Sequence, residues 1–205
     1  MIIIIDYGLG NLGSMLNMFK KIGAEACIAS DPTVVEKADK LILPGVGSFD
    51  AGMQRLQSSG LITVLKKLVL DKKIPILGIC LGMQLLTKRS EEGLLPGLGW
   101  LNAETIRFKF DGSNTALKIP HMGWNQVSIK KEPQLFSDLQ DSNRFYFVHS
   151  YYVICEKAEN ILAKTHYGFD FTSAVIKENI MGVQFHPEKS HKFGMLLLKN
   201  FAERV

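Results

Sequence analysis

A cysteine, a histidine and a glutamate are the residues through which this sequence could do chemistry. Cys80 lies in Gly78-Ile79-Cys80-Leu81-Gly82, where the apolar run that begins at Ile74 gives way to a helix-like pattern. A strand-to-helix elbow of this kind projects its central side chain from the top of a sheet, and flanking glycines remove the Cβ atoms that so sharp a turn cannot hold. A thiol beside a helix N-terminus meets unpaired N–H groups that favour the thiolate and can hold a developing oxyanion. The same five residues would also suit a buried cysteine between two core elements, so its partners decide.

A thiol nucleophile needs a base in reach, and the base needs an orienting group. The histidines are His121, His149, His166, His186 and His191. His186 closes the apolar run 180–185 and is followed by Pro187 and Glu188. In extended backbone, residues two apart point to the same side, so Glu188 can lie beside the imidazole and fix its tautomer. Pro187 keeps His186 out of the α region, which favours that geometry. His149, in Phe147-Val148-His149-Ser150-Tyr151, is the second choice of base, although its apolar flanks suit a structural strand histidine better. His121, before Met122-Gly123-Trp124, reads as a loop or interface residue.

These residues must be held by a scaffold, and the pattern says which. Short β-branched runs at 1–6, 26–29 and 40–43 alternate with apolar residues at helical spacing, Leu12, Met15, Leu16, Phe19 and Ile22 before Gly23, then Leu61, Val64, Leu65 and Leu68. Strand, helix, strand, helix, strand, elbow, helix is a doubly wound α/β order with a mostly parallel sheet and flanking helices. After Lys88 the texture changes, and strands are expected at 103–108, 115–119, 126–129, 145–148, 151–154, 161–165, 172–176 and 180–185. A final helix carries Phe193, Leu196, Leu197 and Phe201 on one face. With 205 residues, 46% of them hydrophobic, and no Pro- or Ser-rich linker, internal repeat or low-complexity tract, one domain over 1–205 is expected. The mild net charge of +4 is not gathered into a basic block, which argues against nucleic-acid binding. The N-terminus lacks a basic n-region, no apolar run reaches a membrane span, and Cys27, Cys80 and Cys155 show no metal-like pairing. A cytoplasmic protein with reduced thiols and no metal is expected.

Two glycine-rich turns invite other readings. Gly8-Leu9-Gly10-Asn11-Leu12-Gly13, with Asp31 after the second strand, is a literal dinucleotide fingerprint. Asp6 and Tyr7 separate its first glycine from the strand end, so a packing turn is preferred to a cofactor site. Pro44-Gly45-Val46-Gly47-Ser48-Phe49-Asp50 follows the third strand, where open α/β sheets place ligands. A plain loop is the alternative there.

Gly78-Ile79-Cys80-Leu81-Gly82-Met83-Gln84 together with Gln184-Phe185-His186-Pro187-Glu188 resembles the class I glutamine amidotransferase family. Asp6-Tyr7-Gly8-Leu9-Gly10-Asn11, Pro44-Gly45-Val46-Gly47, Pro120-His121-Met122-Gly123-Trp124-Asn125 and the stretch 145–152 are similar, over essentially the full length, to the branch of glutaminase subunits that serve imidazole glycerol phosphate synthases. The resemblance implies a Cys80-His186-Glu188 triad acting on glutamine without a cofactor. It implies an oxyanion hole from the Leu81 N–H and a second N–H in the Val46 region. Gly45, Gly47, Gln84, Ser150 and Tyr151 would bind substrate, and Asn11, Trp124 and Lys189 would face a (β/α)8 barrel cyclase that receives the ammonia in histidine biosynthesis. In that family the Gly8 to Gly13 turn is not a cofactor site. Two features depart from the commonest form: His191 where a glycine usually follows Glu188-Lys189-Ser190, and Leu98-Gly99-Trp100-Leu101. Both are similar to a paralogous branch in which the ammonia goes to a sugar-amidating enzyme of surface-polysaccharide biosynthesis. Readings from other classes are a dinucleotide-binding oxidoreductase, a non-catalytic partner-docking module and a cysteine peptidase.

Overall fold

The computed structural model describes residues 1–110, 117–130, 134–139 and 143–205. Its first half runs β1 (Ile2–Ile5), α1 (Leu12–Lys21), β2 (Ala26–Ala29), α2 (Pro32–Val35), β3 (Lys40–Gly45), α3 (Phe49–Ser58), α4 (Leu61–Lys66), β4 (Ile76–Cys80) and α5 (Leu81–Leu85). The second half is mostly strand: β5 (Ala103–Arg107), β6 (His121–Gln126), β7 (Ser128–Ile129), β8 (Arg144–His149), β9 (Tyr151–Cys155), β10 (Ile161–Tyr167), β11 (Phe169–Lys177) and β12 (Ile180–Val183), closed by α6 (His191–Glu203).

Among the described residues, ten strands form one sheet along the path β2-β1-β3-β4-β12-β11-β10-β7, with β9 on β11 and β5 on β9. The ladder from β2 to β12 is parallel, and β11, β10 and β7 extend it antiparallel. The β-strand period of two divides the interior. Ile2, Ile4, Ile42, Leu77 and Ile79 face a core with Met15, Phe19, Leu197 and Phe201 of α1 and α6. Ile3, Ile5, Leu41 and Leu43 face a second core with Phe49, Leu56, Leu61 and Leu65 of α3 and α4. Helices therefore cover both faces, as the doubly wound reading requires.

Local chemistry sets several boundaries. Asn11 Oδ1 accepts from the Ser14 N–H at 3.4 Å to start α1, and Gly23, at φ +76°, follows its end. Four sequence expectations change. Helix α3 is absent from the sequence expectations; Phe49, Met53 and Leu56 are its buried stripe, disguised by Gly52, whose bare Cα lets Leu81 and Leu85 of α5 approach. Residues 115 and 116 of the expected strand 115–119 lie outside the described residues, and 117–119 are not strand. The expected strand 126–129 is divided, because β6 ends at Gln126 and Val127 turns into the core before β7 begins. His121, expected in a loop, is a buried residue of β6.

Candidate active site

Strand β4 ends at Cys80 and α5 begins at the next residue, so the elbow has no intervening loop. Cys80 takes φ +53° and ψ −110°, a conformation that costs a non-glycine residue about 1–3 kcal/mol and persists only where its surroundings enforce it. The enforcement comes from the glycines. A Cβ on Gly82 would lie 1.8 Å from the Leu43 carbonyl oxygen, and one on Gly78 would lie 2.8 Å from the Gly82 backbone. Helix α5 is thus pressed against β3 and β4 more closely than any side chain allows.

The neighbouring parallel strand β12 delivers His186. Its backbone is extended at φ −103°, ψ 97°, as the following proline favours. His186 N–H donates to the Tyr146 carbonyl at 2.9 Å, and Ser190 Oγ donates to the His186 carbonyl at 2.6 Å while accepting from the Tyr146 N–H at 3.0 Å. Ser190, which carries no site signal in the sequence, locks the histidine to β8. Glu188 Oε1 accepts from His186 Nδ1 at 2.8 Å, with both side chains almost wholly buried. That bond leaves Nε2, buried and without a hydrogen-bond partner among the described residues, as the nitrogen available for proton transfer. Burial opposes charge on His186, but the Cys80 sulfur and the Glu188 carboxylate more than offset it and raise its pKa to about 10.

Cys80 and His186 open onto one cavity of about 320 Å³, lined also by Val46, Gly47, Leu81, Gln84, Glu92, Ser150 and Tyr151. Gly45 lies just behind: it pairs with Cys80 across the β3–β4 ladder and is wedged against Tyr7 Oη and the Gly82 N. Gly47 has φ +109° with open space around its Cα, and Val46 is 42% exposed. Glu92 is a site residue that the sequence shows only as part of a loop signal. Its Oε2 accepts from the Phe49 N–H at 2.8 Å at the start of α3, and burial holds its carboxyl above the usual range. Only the tertiary fold could have brought this acid to the cavity.

His149 lines the same cavity but both its ring nitrogens are engaged. The Tyr151 carbonyl can only accept, so His149 Nδ1 donates to it at 2.7 Å, and Nε2 is left to accept from His121 Nδ1 at 3.0 Å. Asn125 Nδ2 completes the run by donating to His121 Nε2 at 3.2 Å. Burial pushes the pKa of His149 down to about 3 and that of His121 to about 4. This neutral pair is part of the scaffold, which corrects the second choice of base. His166 pairs with Asp170 at the surface at 2.9 Å.

The three residues expected to meet a partner are placed as follows. Asn11 is exposed at the start of α1. Lys189 Nζ lies 5.6 Å from the Tyr146 ring centre, and Trp124, 45% exposed, stacks on His191 with ring centres 5.3 Å apart and planes 3° from parallel. His191 holds φ +46°. The dinucleotide-like turn is braced by the two residues that precede it: Asp6 Oδ1 accepts from the Gly8 N–H at 2.9 Å and Tyr7 Oη donates to the Pro44 carbonyl of β3 at 2.6 Å. Asp31 caps α2 by accepting from the Thr33 N–H at 2.7 Å. Neither acid is held ready for a ribose.

The sequence profile described as glutamine amidotransferase class-I matches residues 3–205. This chain belongs to the class I glutamine amidotransferases. Similar relatives within that family include "Imidazole glycerol phosphate synthase subunit HisH 2" of Methanococcus maripaludis, 59% identical over all of both chains. The protein of the same name in Pseudomonas aeruginosa is 53% identical over all of both chains. The subunit HisH of Leptospira borgpetersenii is 48% identical over 98% of this chain and 99% of its own. The fold is shared with a glutamine amidotransferase of known crystal structure at a TM-score of 0.72 and 19% identity, covering 97% of this chain and 98% of the other.

Proposed function

We propose that this chain, as one domain over 1–205, is the glutaminase subunit of an imidazole glycerol phosphate synthase, acting in the cytoplasm. The observation that carries the chemistry is the meeting of Cys80 and the Glu188-oriented His186 on one cavity. The Cys80 thiolate attacks the side-chain carbonyl carbon of glutamine. His186 Nε2, as imidazolium, gives its proton to the departing amide nitrogen, which leaves as ammonia. A water then attacks the thioester carbonyl while His186 takes its proton, and the sulfur leaves with release of glutamate. Glu188 holds the imidazole by Nδ1 throughout. The tetrahedral oxyanion is held by the Leu81 N–H and by an N–H of the Val46 region, whose neighbour Gly47 has space to let that peptide turn. Substrate is gripped by Gly47, Gln84, Ser150 and Tyr151, with Gly45 behind them letting the backbone close in and the Glu92 carboxylate as partner of the α-ammonium group.

Ammonia must be consumed before it is protonated and lost, so a synthase partner has to seal onto this site. A (β/α)8 barrel cyclase docking on Asn11, Trp124 and Lys189 fits that need, and the names of the relatives describe them as subunits of a synthase. The experiment is co-purification with a barrel cyclase followed by glutaminase turnover with and without the cyclase's ribonucleotide ligand. A rise of about 10²-fold or more on binding supports the reading; absence of glutamate release from the complex overturns it. His191 after Glu188-Lys189-Ser190 and the stretch Leu98-Gly99-Trp100-Leu101 favour testing a second acceptor beside the first. Glutamine-dependent amidation of a sugar substrate by a captured partner would assign the same glutaminase to polysaccharide synthesis.

A further inference from the structure

Among the described residues, the sulfur of Cys80 has two polar neighbours besides the triad. The Val148 carbonyl oxygen lies 3.9 Å from Sγ and Gln184 Nε2 lies 3.7 Å from it. Their effects are opposite. A carbonyl can only accept, so Val148 favours the neutral thiol and repels a thiolate; an amide NH₂ can only donate, so Gln184 favours the thiolate.

Which end of the Gln184 amide faces the sulfur follows from its neighbours. The Tyr151 carbonyl fixes the Gln84 amide with Nε2 toward it, at 3.2 Å. The same nitrogen donates its second hydrogen to Gln184 Oε1 at 3.1 Å. Gln184 must therefore present its NH₂ group to Sγ. The side chain is fully buried, and its backbone N–H is pinned to the Ser173 carbonyl at 2.9 Å, so the donor is held where water does not compete.

We propose that Gln184 is a further catalytic residue: a fixed, non-titrating donor to the Cys80 thiolate that offsets the Val148 carbonyl, with Gln84 as the residue that positions it. The proposal rests on Cys80 being the nucleophile. It gives Gln84 a second task, because the Nε2 that orients Gln184 is fully occupied and only its Oε1 remains for substrate. A buried thiolate loses the hydration that would stabilise it in water, and a donor that never changes protonation state supplies part of that stabilisation at every pH.

The test is the pH profile of Cys80 alkylation by iodoacetamide, read by mass spectrometry on the full chain. Gln184→Met keeps the length and removes the donor; its profile moves to higher pH by about one unit. Glutaminase kcat of the complex with the synthase falls about tenfold while KM for glutamine holds. Should Gln184→Met not fold, Gln84→Met leaves Gln184 in place without its anchor and moves the profile the same way by less. An unmoved profile, in whichever variant folds, overturns the proposal and leaves Gln184 as packing. Alkylation reports on the thiol without glutamine turnover, so failure of the glutaminase assignment, seen as glutamate release that survives Cys80→Ala, is a separate result.

Discussion

Glu188 Oε1 and His186 Nδ1 lie 2.8 Å apart with both side chains almost wholly excluded from solvent, so the carboxylate has one task and the imidazole one tautomer. Glu188→Gln keeps the shape but offers either end of an amide to Nδ1. Glutaminase kcat is expected to drop by about 10²–10⁴-fold in steady-state assays of the complex, and Tm to fall with it, because the buried imidazolium loses its counter-charge. Loss of stability in place of loss of turnover would reassign Glu188 to the scaffold.

Two groups of histidines act on stability in opposite pH ranges. His121 and His149, lowered from 6.5 to about 4 and about 3, are neutral in the fold, so their contribution is present above the unfolded value and lost as pH falls toward their folded values. His186, raised from 6.5 to about 10, contributes fully below 6.5 and loses its contribution as pH rises through about 10. Denaturant titrations are expected to show maximal stability near neutrality, with an acid limb approaching two protons per molecule between about pH 4 and 6. His149→Gln should reduce that acid limb toward the one proton of His121 and leave the alkaline one.

The elbow makes a sharper mutational contrast. Gly82→Ala would drive a Cβ into the Leu43 carbonyl, which relaxation of a side chain cannot relieve, and a loss of about 3 kcal/mol is expected by chemical denaturation. Gly47→Ala meets nothing, yet its φ of +109° disfavours any side chain. It should leave global stability within about 1 kcal/mol and reduce the gain in glutaminase rate that the partner brings. A full gain in Gly47→Ala would remove this peptide from the oxyanion hole.

His191→Gly sets two effects against each other. Freeing a non-glycine residue from φ +46° relieves about 1 kcal/mol, while losing the stack on Trp124 forfeits about 0.5–1.5 kcal/mol. Little change in Tm is expected, but the exposed indole loses its support, and affinity for the synthase partner measured by calorimetry should fall. Unchanged affinity would take Trp124 out of the interface.

What could be seen in the sequence was what short-range geometry dictates. The elbow needs glycines at fixed positions, and His186 and Glu188 meet because extended backbone repeats every two residues. His121 and His149 could not be paired from sequence, since they face each other only through the β6–β8 register. Glu92 reaches the site by tertiary packing alone; Ser190 is only four residues past His186, but its bond to the Tyr146 N–H of β8 depends on the fold, and α3 was hidden by a glycine that packing requires. The glycine fingerprint at Gly8 could be set aside from sequence, because Asp6 and Tyr7 stand between it and the strand end, and these are the two residues that brace the turn.

Cys80 belongs to the core under α1 and α6, while Leu81 belongs to the core under α3 and α4. One peptide bond carries the chain from one interior to the other at the nucleophile. Disturbances from the two sides therefore arrive at different atoms: repacking the first core moves the sulfur relative to its base, and repacking the second moves the N–H that receives the oxyanion. Conservative substitutions in the two cores, matched for stability loss, would act as separate dials on thiol reactivity and on turnover.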